Sequence, residues 1–158
     1  MGQTILHLGH KNTNFAIIMS RILAIDYGKK RSGIAVTDTL QMIANGLTTV
    51  PTHTLFDFIR NYIETEDVEK IIVGLPRQNS GEFSDNMKNI TPFVNRVRKN
   101  LPQVSIEFYD ERFTSVLAHK AILDSGIGRK ARQNKALVDK ISATIILEDY
   151  LEAQRFRK

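Results

Sequence analysis

Two apolar runs of strand length, Ile22-Leu23-Ala24-Ile25 and Ile34-Ala35-Val36, are joined by a short polar connection, Asp26 to Gly33, that carries two glycines and three consecutive cations. A link this short has no room for a crossover helix, so the two strands are predicted to form an antiparallel hairpin. Ile43 to Val50 supplies a third strand after another brief turn. The chain therefore opens as a three-strand meander, which excludes an all-helical architecture.

Downstream the hydrophobic period changes. Leu55, Phe58, Ile59, Tyr62 and Ile63 recur at helical spacing, and Thr52 or Thr54 is placed to cap the start. Lys70 to Gly74 is again strand-like, and a strand reached through a helix is expected to run parallel to its neighbour. Arg77 to Gly81 reads as a polar loop. A second helix is predicted from about Ser84, with Met87, Ile90, Val94, Val97 and Leu101 on one stripe, kinked or restarted at Pro92. Gln103 to Tyr109 alternates with period two and predicts a fifth strand. A helix from about Ser115, an irregular basic stretch from Ile127 to Asn134 and a long helix from Lys135 to Ala153 complete the pattern. The predicted class is α/β: a five-stranded mixed sheet, made of the antiparallel meander plus two parallel strands, flanked by helices. Such sheets hold ligands at the carboxyl ends of their strands.

With 158 residues, 42% of them hydrophobic, the chain is long enough for one packed core and shows no linker that would divide it. The absence of cysteine excludes a disulfide scaffold, thiolate metal sites and a cysteine nucleophile, and fits a reducing, cytoplasmic setting. No apolar run is long enough to span a bilayer, so no membrane partner is expected. Residues 1 to 18 hold one charged side chain, Lys11, and lack the basic start and apolar stretch of a signal peptide. They are read as an extension, disordered or the product of an upstream start, ahead of a domain spanning residues 19 to 158.

Three acids stand out against this background. Asp26 ends an apolar strand, where an ionised carboxylate needs a cation, a donor or a metal; backbone N–H groups in the turn around Gly28 would also serve. Glu111 follows Asp110 at the end of the fifth strand, and adjacent strand residues face opposite ways, so at most one shares a face with Asp26 while the strand continues. Asp139 lies on the final helix in a stripe with Ser142, Ala143 and Ile146; a solvated acid paired with Lys135 is the other reading, and burial separates the two. Three convergent carboxylates suit a hard divalent cation, and a pair of such ions activates water and stabilises the leaving oxygen in phosphodiester cleavage.

Taken together, the motifs resemble those of the YqgF/RuvX family of Holliday-junction-resolvase-like proteins. The matching pieces are Asp26-Tyr27-Gly28 with Arg31-Ser32-Gly33-Ile34-Ala35 and Asp38; Val73-Gly74-Leu75-Pro76 with Gly81; Asp110-Glu111-Arg112-Phe113-Thr114-Ser115; and Val138-Asp139-Lys140-Ile141-Ser142-Ala143. They run in the family's order over residues 20 to 154. The resemblance implies an RNase H-like fold and a nuclease dependent on Mg²⁺ or Mn²⁺, with Asp26, Glu111 and Asp139 as catalytic acids and metal ligands. The family lacks the fourth-strand acid of true junction resolvases, and here that strand ends Gly74-Leu75-Pro76, which makes Glu111 the substitute ligand. The implied role is processing of the 5′ end of pre-16S ribosomal RNA, with structured RNA and ribosomal precursor particles as partners. The alternative is a Holliday junction resolvase, or another nuclease or binding module for branched DNA.

The formal charge is +5, from 22 Lys and Arg against 17 Asp and Glu, and its placement matters more than its size. Lys29, Lys30 and Arg31 adjoin Asp26, Arg77 follows the fourth strand, Arg112 adjoins Glu111, and Arg129, Lys130, Arg132 and Lys135 precede Asp139. These nine are the candidate contacts to a phosphate backbone, although Arg112 also suits a pair with an acid. Arg96, Arg98 and Lys99 read as a solvated helix face with no assigned role, and Tyr27 and Phe113 are expected to serve core packing ahead of base stacking. Asp26-Tyr27-Gly28 with Gly33 also suits the phosphate loop of actin-like and sugar-kinase folds, but those need two such lobes and this chain supplies one.

Overall fold

The computed structural model describes residues 19–75, 86–110 and 134–156. Strands β1 (Arg21–Tyr27), β2 (Arg31–Thr37) and β3 (Ala44–Pro51) form the meander. A 3₁₀ turn (Thr52–Thr54) leads into helix α1 (Leu55–Thr65), then β4 (Val68–Leu75), α2 (Met87–Asn100), β5 (Ser105–Asp110) and α3 (Lys135–Phe156). The sheet order is β3-β2-β1-β4-β5, antiparallel across β3, β2 and β1 and parallel across β1, β4 and β5. This is the RNase H-like arrangement of three antiparallel and two parallel strands, as expected.

Both faces of the sheet are covered, which explains why the central strands read as nearly continuous apolar runs. Leu23, Ile25, Ile34, Ile71 and Val73 pack with Leu55 and Ile59 of α1 and with Ile90, Val94 and Val97 of α2. On the other face Ile22, Ala24, Ala35 and Ile72 meet Ala143, Ile146, Leu147 and Tyr150 of α3. The second interface uses alanines on the sheet side. Small residues there let a single long helix lie close over the middle of the sheet.

Several local expectations need correction. Neither Thr52 nor Thr54 caps α1 with its side chain: Thr54 Oγ1 donates to the Pro51 carbonyl and Thr52 Oγ1 to that of Gly28, so both hydroxyls are committed elsewhere. Helix α2 runs without interruption through Pro92. An exposed proline forfeits one backbone bond, to the Lys88 carbonyl, and the buried stripe on the opposite side holds the helix together. Ile43 lies before β3 in an exposed turn, because Asp38 captures its N–H. The final helix extends past Ala153 to Phe156, and its start is capped by Asn134, whose Oδ1 accepts the Leu137 N–H at 3.2 Å. The extension, the loop from Arg77 and the helix expected from Ser115 lie outside the described residues.

Candidate functional site

Strand alternation puts Asp26 on the face of Ile22 and Ala24, toward α3, one residue before β1 ends. Its cross-strand partner in β2 is Gly33. A Cβ built on Gly33 would fall 1.9 Å from the Asp139 carbonyl oxygen, so the backbone of α3 rests directly on β2 at this point and only glycine permits it. Two residues earlier in β2, on the same face, Arg31 donates from Nε to Asp139 Oδ2 at 2.9 Å. The contact joins residues 108 apart in sequence. Asp26, Arg31 and Asp139 are thereby gathered on one face of the sheet, at the carboxyl end of β1.

Asp139 is not the fully solvated acid of the alternative reading. Its side chain is 23% exposed, it sits beside the buried Ser142 and Ala143, and Arg31 is its ion-pair partner among the described residues, not Lys135. Lys135 lies exposed in the first turn of α3, and Lys29 and Lys30 are exposed on the turn between β1 and β2. Four of the nine predicted cationic contacts, Lys29, Lys30, Arg31 and Lys135, are thus described, and all four flank the two acids in sequence or space. Glu111, Arg77, Arg112, Arg129, Lys130 and Arg132 lie outside the described residues.

In β5, Ile106 and Phe108 belong to the core beneath α1 and α2, whereas Tyr109 packs edge-on against Tyr150 of α3, ring centroids 5.6 Å apart. Asp110 therefore shares the face of Phe108, opposite that of Asp26. Among the described residues no group of three or more His, Asp or Glu stands ready to hold a metal ion. Asp26 and Asp139 supply two hard oxygen donors of the kind that Mg²⁺ and Mn²⁺ prefer.

The turn carrying Lys29 and Lys30 is held by a ring of hydrogen bonds that sequence reasoning did not find. Gly28 N–H donates to Ser32 Oγ at 3.4 Å, Thr52 Oγ1 donates to the Gly28 carbonyl at 2.7 Å, and the two hydroxyls lie 2.8 Å apart. Since the Thr52 proton is committed to Gly28, the Ser32 hydroxyl must be the donor between them. Ser32 is fully buried. The available signal was a small polar residue at the mouth of an apolar strand. Gly28 is required here too, because a Cβ would stand 2.3 Å from the Arg31 carbonyl oxygen. Asn86, at the start of α2, donates from Nδ2 to the Tyr27 carbonyl at 2.9 Å and ties down the end of β1.

Tyr27 itself points away from Asp26. Its ring packs on Phe93 with centroids 5.4 Å apart, and burial pushes its phenol above the ordinary value. Core packing, as expected, is its use.

An RNase H-like α/β domain with strand-end and helix acids flanked by cations is the class that fold and site define. Within it, the chain belongs to the RuvX family, whose model, described as "Holliday junction resolvase", matches residues 20–153. A protein of Phocaeicola vulgatus named "Putative pre-16S rRNA nuclease" is 67% identical over 138 residues, covering 87% of this chain and 99% of that protein. A Flavobacterium johnsoniae protein of the same name is 52% identical, covering 87% of this chain and all of that one. Among solved structures, YeaZ from Pseudomonas aeruginosa aligns at 18% identity with a TM-score of 0.40, over 68% of this chain and 50% of that one.

Proposed function

We propose that this protein is a metal-dependent nuclease that hydrolyses phosphodiester bonds and acts in the cytoplasm on the 5′ end of pre-16S ribosomal RNA. The observation that carries the reading is the gathering of Asp26, Arg31 and Asp139 through the Gly33 contact. Acids from the first strand and the last helix meet beside a turn that bears two exposed lysines. Family membership and the names of the close relatives support the choice of RNA precursor. Among the described residues no helix is long and apolar enough to cross a membrane.

Asp26 and Asp139 would hold Mg²⁺ or Mn²⁺, with Glu111 in preference to Asp110 as the third acid, because Asp110 belongs to the opposite face. When bound, the metal would supply an activated water and charge stabilisation at the leaving oxygen. The protein's own cations do the positioning. Arg31 spends one N–H on Asp139 and has four more on its Nη groups for a phosphate oxygen, while Lys29 and Lys30 reach the neighbouring backbone without reading sequence.

The description of the family model favours a second reading, in which the same groups cleave a four-way DNA junction. One experiment addresses both. Wild type and Asp26→Asn are incubated with Mg²⁺ and either a pre-16S transcript or a DNA junction. The expected result is cleavage of the transcript by wild type alone; equal cleavage by the two proteins would overturn the mechanism, and preference for the junction would overturn the substrate.

A further inference from the structure

On the opposite face of the sheet from Asp26, directly beneath the β1–β2 turn, lies a cleft of about 280 Å³. Tyr27, His53, Phe56, Asn89, Phe93 and Arg96 contribute to its walls, and no acidic residue among the described ones does. The Arg96 guanidinium carbon sits 3.8 Å from the centre of the Phe56 ring, stacked on its face, while Phe56 is buried and Arg96 is exposed. The guanidinium lies over the ring and borders the cleft, where a base can stack on its plane as on an aromatic ring.

Two other clefts of similar size among the described residues lack this combination. The one beside Met42 and Ile43 is bordered by Glu148 and Glu152 as well as Arg155 and has no aromatic residue. The one between β3 and α3 carries Lys140 but no aromatic residue. In the Arg96 cleft, Asn89 adds an amide able to donate and accept, and its Nδ2 is already oriented by a bond to Asn86 Oδ1 at 3.0 Å.

We propose that this cleft receives one unpaired nucleobase, stacked on the outer face of Arg96 and contacted by Asn89, from the strand flanking the cleaved bond. The inference rests on the nucleic-acid reading above and adds to it a preference for a single-stranded flank, since a base can lie on the Arg96 plane only when it is out of a duplex stack. Tyr27 and Asp26 are consecutive and face opposite ways, so a strand lying at Asp26 reaches the cleft by passing over Lys29 and Lys30.

The test is binding of short single-stranded RNAs in which one abasic site is moved along the sequence, compared between the full chain and its Arg96→Gln and Asn89→Ala variants. Melting curves establish that both variants fold. One abasic position is expected to weaken wild-type binding roughly tenfold, about the contribution of one stacked base, and at that position Arg96→Gln is expected to add no further loss. A 2-aminopurine placed there is expected to lose fluorescence on binding to wild type and to keep it with Arg96→Gln. If Arg96→Gln weakens every oligonucleotide alike, the residue acts as a charge only and the base site is overturned while the nucleic-acid reading stands. If wild type binds none of them, the base site is overturned, and cleavage of the transcript decides the nucleic-acid reading on its own.

Discussion

Gly33 and Asp139 meet through their backbones, with the helix carbonyl seated where a side chain on the strand would be. The close approach sets the height of α3 above the sheet and, with it, the distance from Asp139 to Arg31 and Asp26. Gly33→Ala is therefore expected to destabilise the protein by about 1–3 kcal/mol or more, the usual result of overpacking, and to lower activity further than stability. Urea denaturation beside a cleavage assay checks both. Wild-type stability would show that the helix can lift without strain.

Arg31 and Asp139 form an ion pair whose side chains are 37% and 23% exposed. Solvent screening keeps such pairs small, so a double-mutant cycle with Arg31→Gln and Asp139→Asn is expected to give a coupling of about 1 kcal/mol or less. Activity should respond on another scale. Outer-sphere partners of a metal already matter about 10–100-fold, so if Asp139 is the direct ligand proposed, Asp139→Asn is expected to reduce cleavage about 100-fold or more. Comparable small losses in both measurements would mark the pair as structural.

The ring formed by Gly28, Ser32 and Thr52 closes on itself, so removal of either hydroxyl strands the other's partner in a half-buried place. Ser32→Ala and Thr52→Val are each expected to cost about 1–3 kcal/mol. Because they break the same ring, the double variant should lose clearly less than the two losses added together, which chemical denaturation of the three variants measures.

Asp38 builds the β2–β3 turn by accepting the backbone N–H groups of Ile43, Met42 and Leu40, and these bonds hold its carboxyl below the ordinary value of 3.8. A depressed acid contributes stability above its unfolded pKa and loses it as pH falls through the folded one. Asp38→Ala is expected to be less stable than wild type at neutral pH. The gap should begin to close near pH 3.8 and vanish below the depressed value. A denaturation series from neutral to acid pH follows it, and a gap that persists in acid would mean the carboxylate is not the source.

Binding of nucleic acid should weaken with salt, and neutralising Lys29 or Lys30 should each reduce the slope of log affinity against log salt by about 1 if the side chain contacts a phosphate. Equal slopes for wild type and both variants would remove the turn from the path of the strand.

Local patterning determined most of the fold. The short link between Ile25 and Ile34 compelled an antiparallel hairpin, and a helical period between β3 and β4 implied a parallel return, because connection length limits what neighbouring strands can do. Asp26 was legible as a candidate for a similar reason: a carboxylate ending an apolar run is costly without a partner. What the chain could not disclose locally was who that partner's neighbours are. Only the packing of α3 on Gly33 brings Asp139 to Arg31, and only the packing of α1 beside α2 puts Arg96 on Phe56, turning a residue read as solvent-facing into part of a cleft. Periodicity reports which face of an element is buried; the side chains that meet there, from elements far apart in sequence, are decided by the tertiary structure alone.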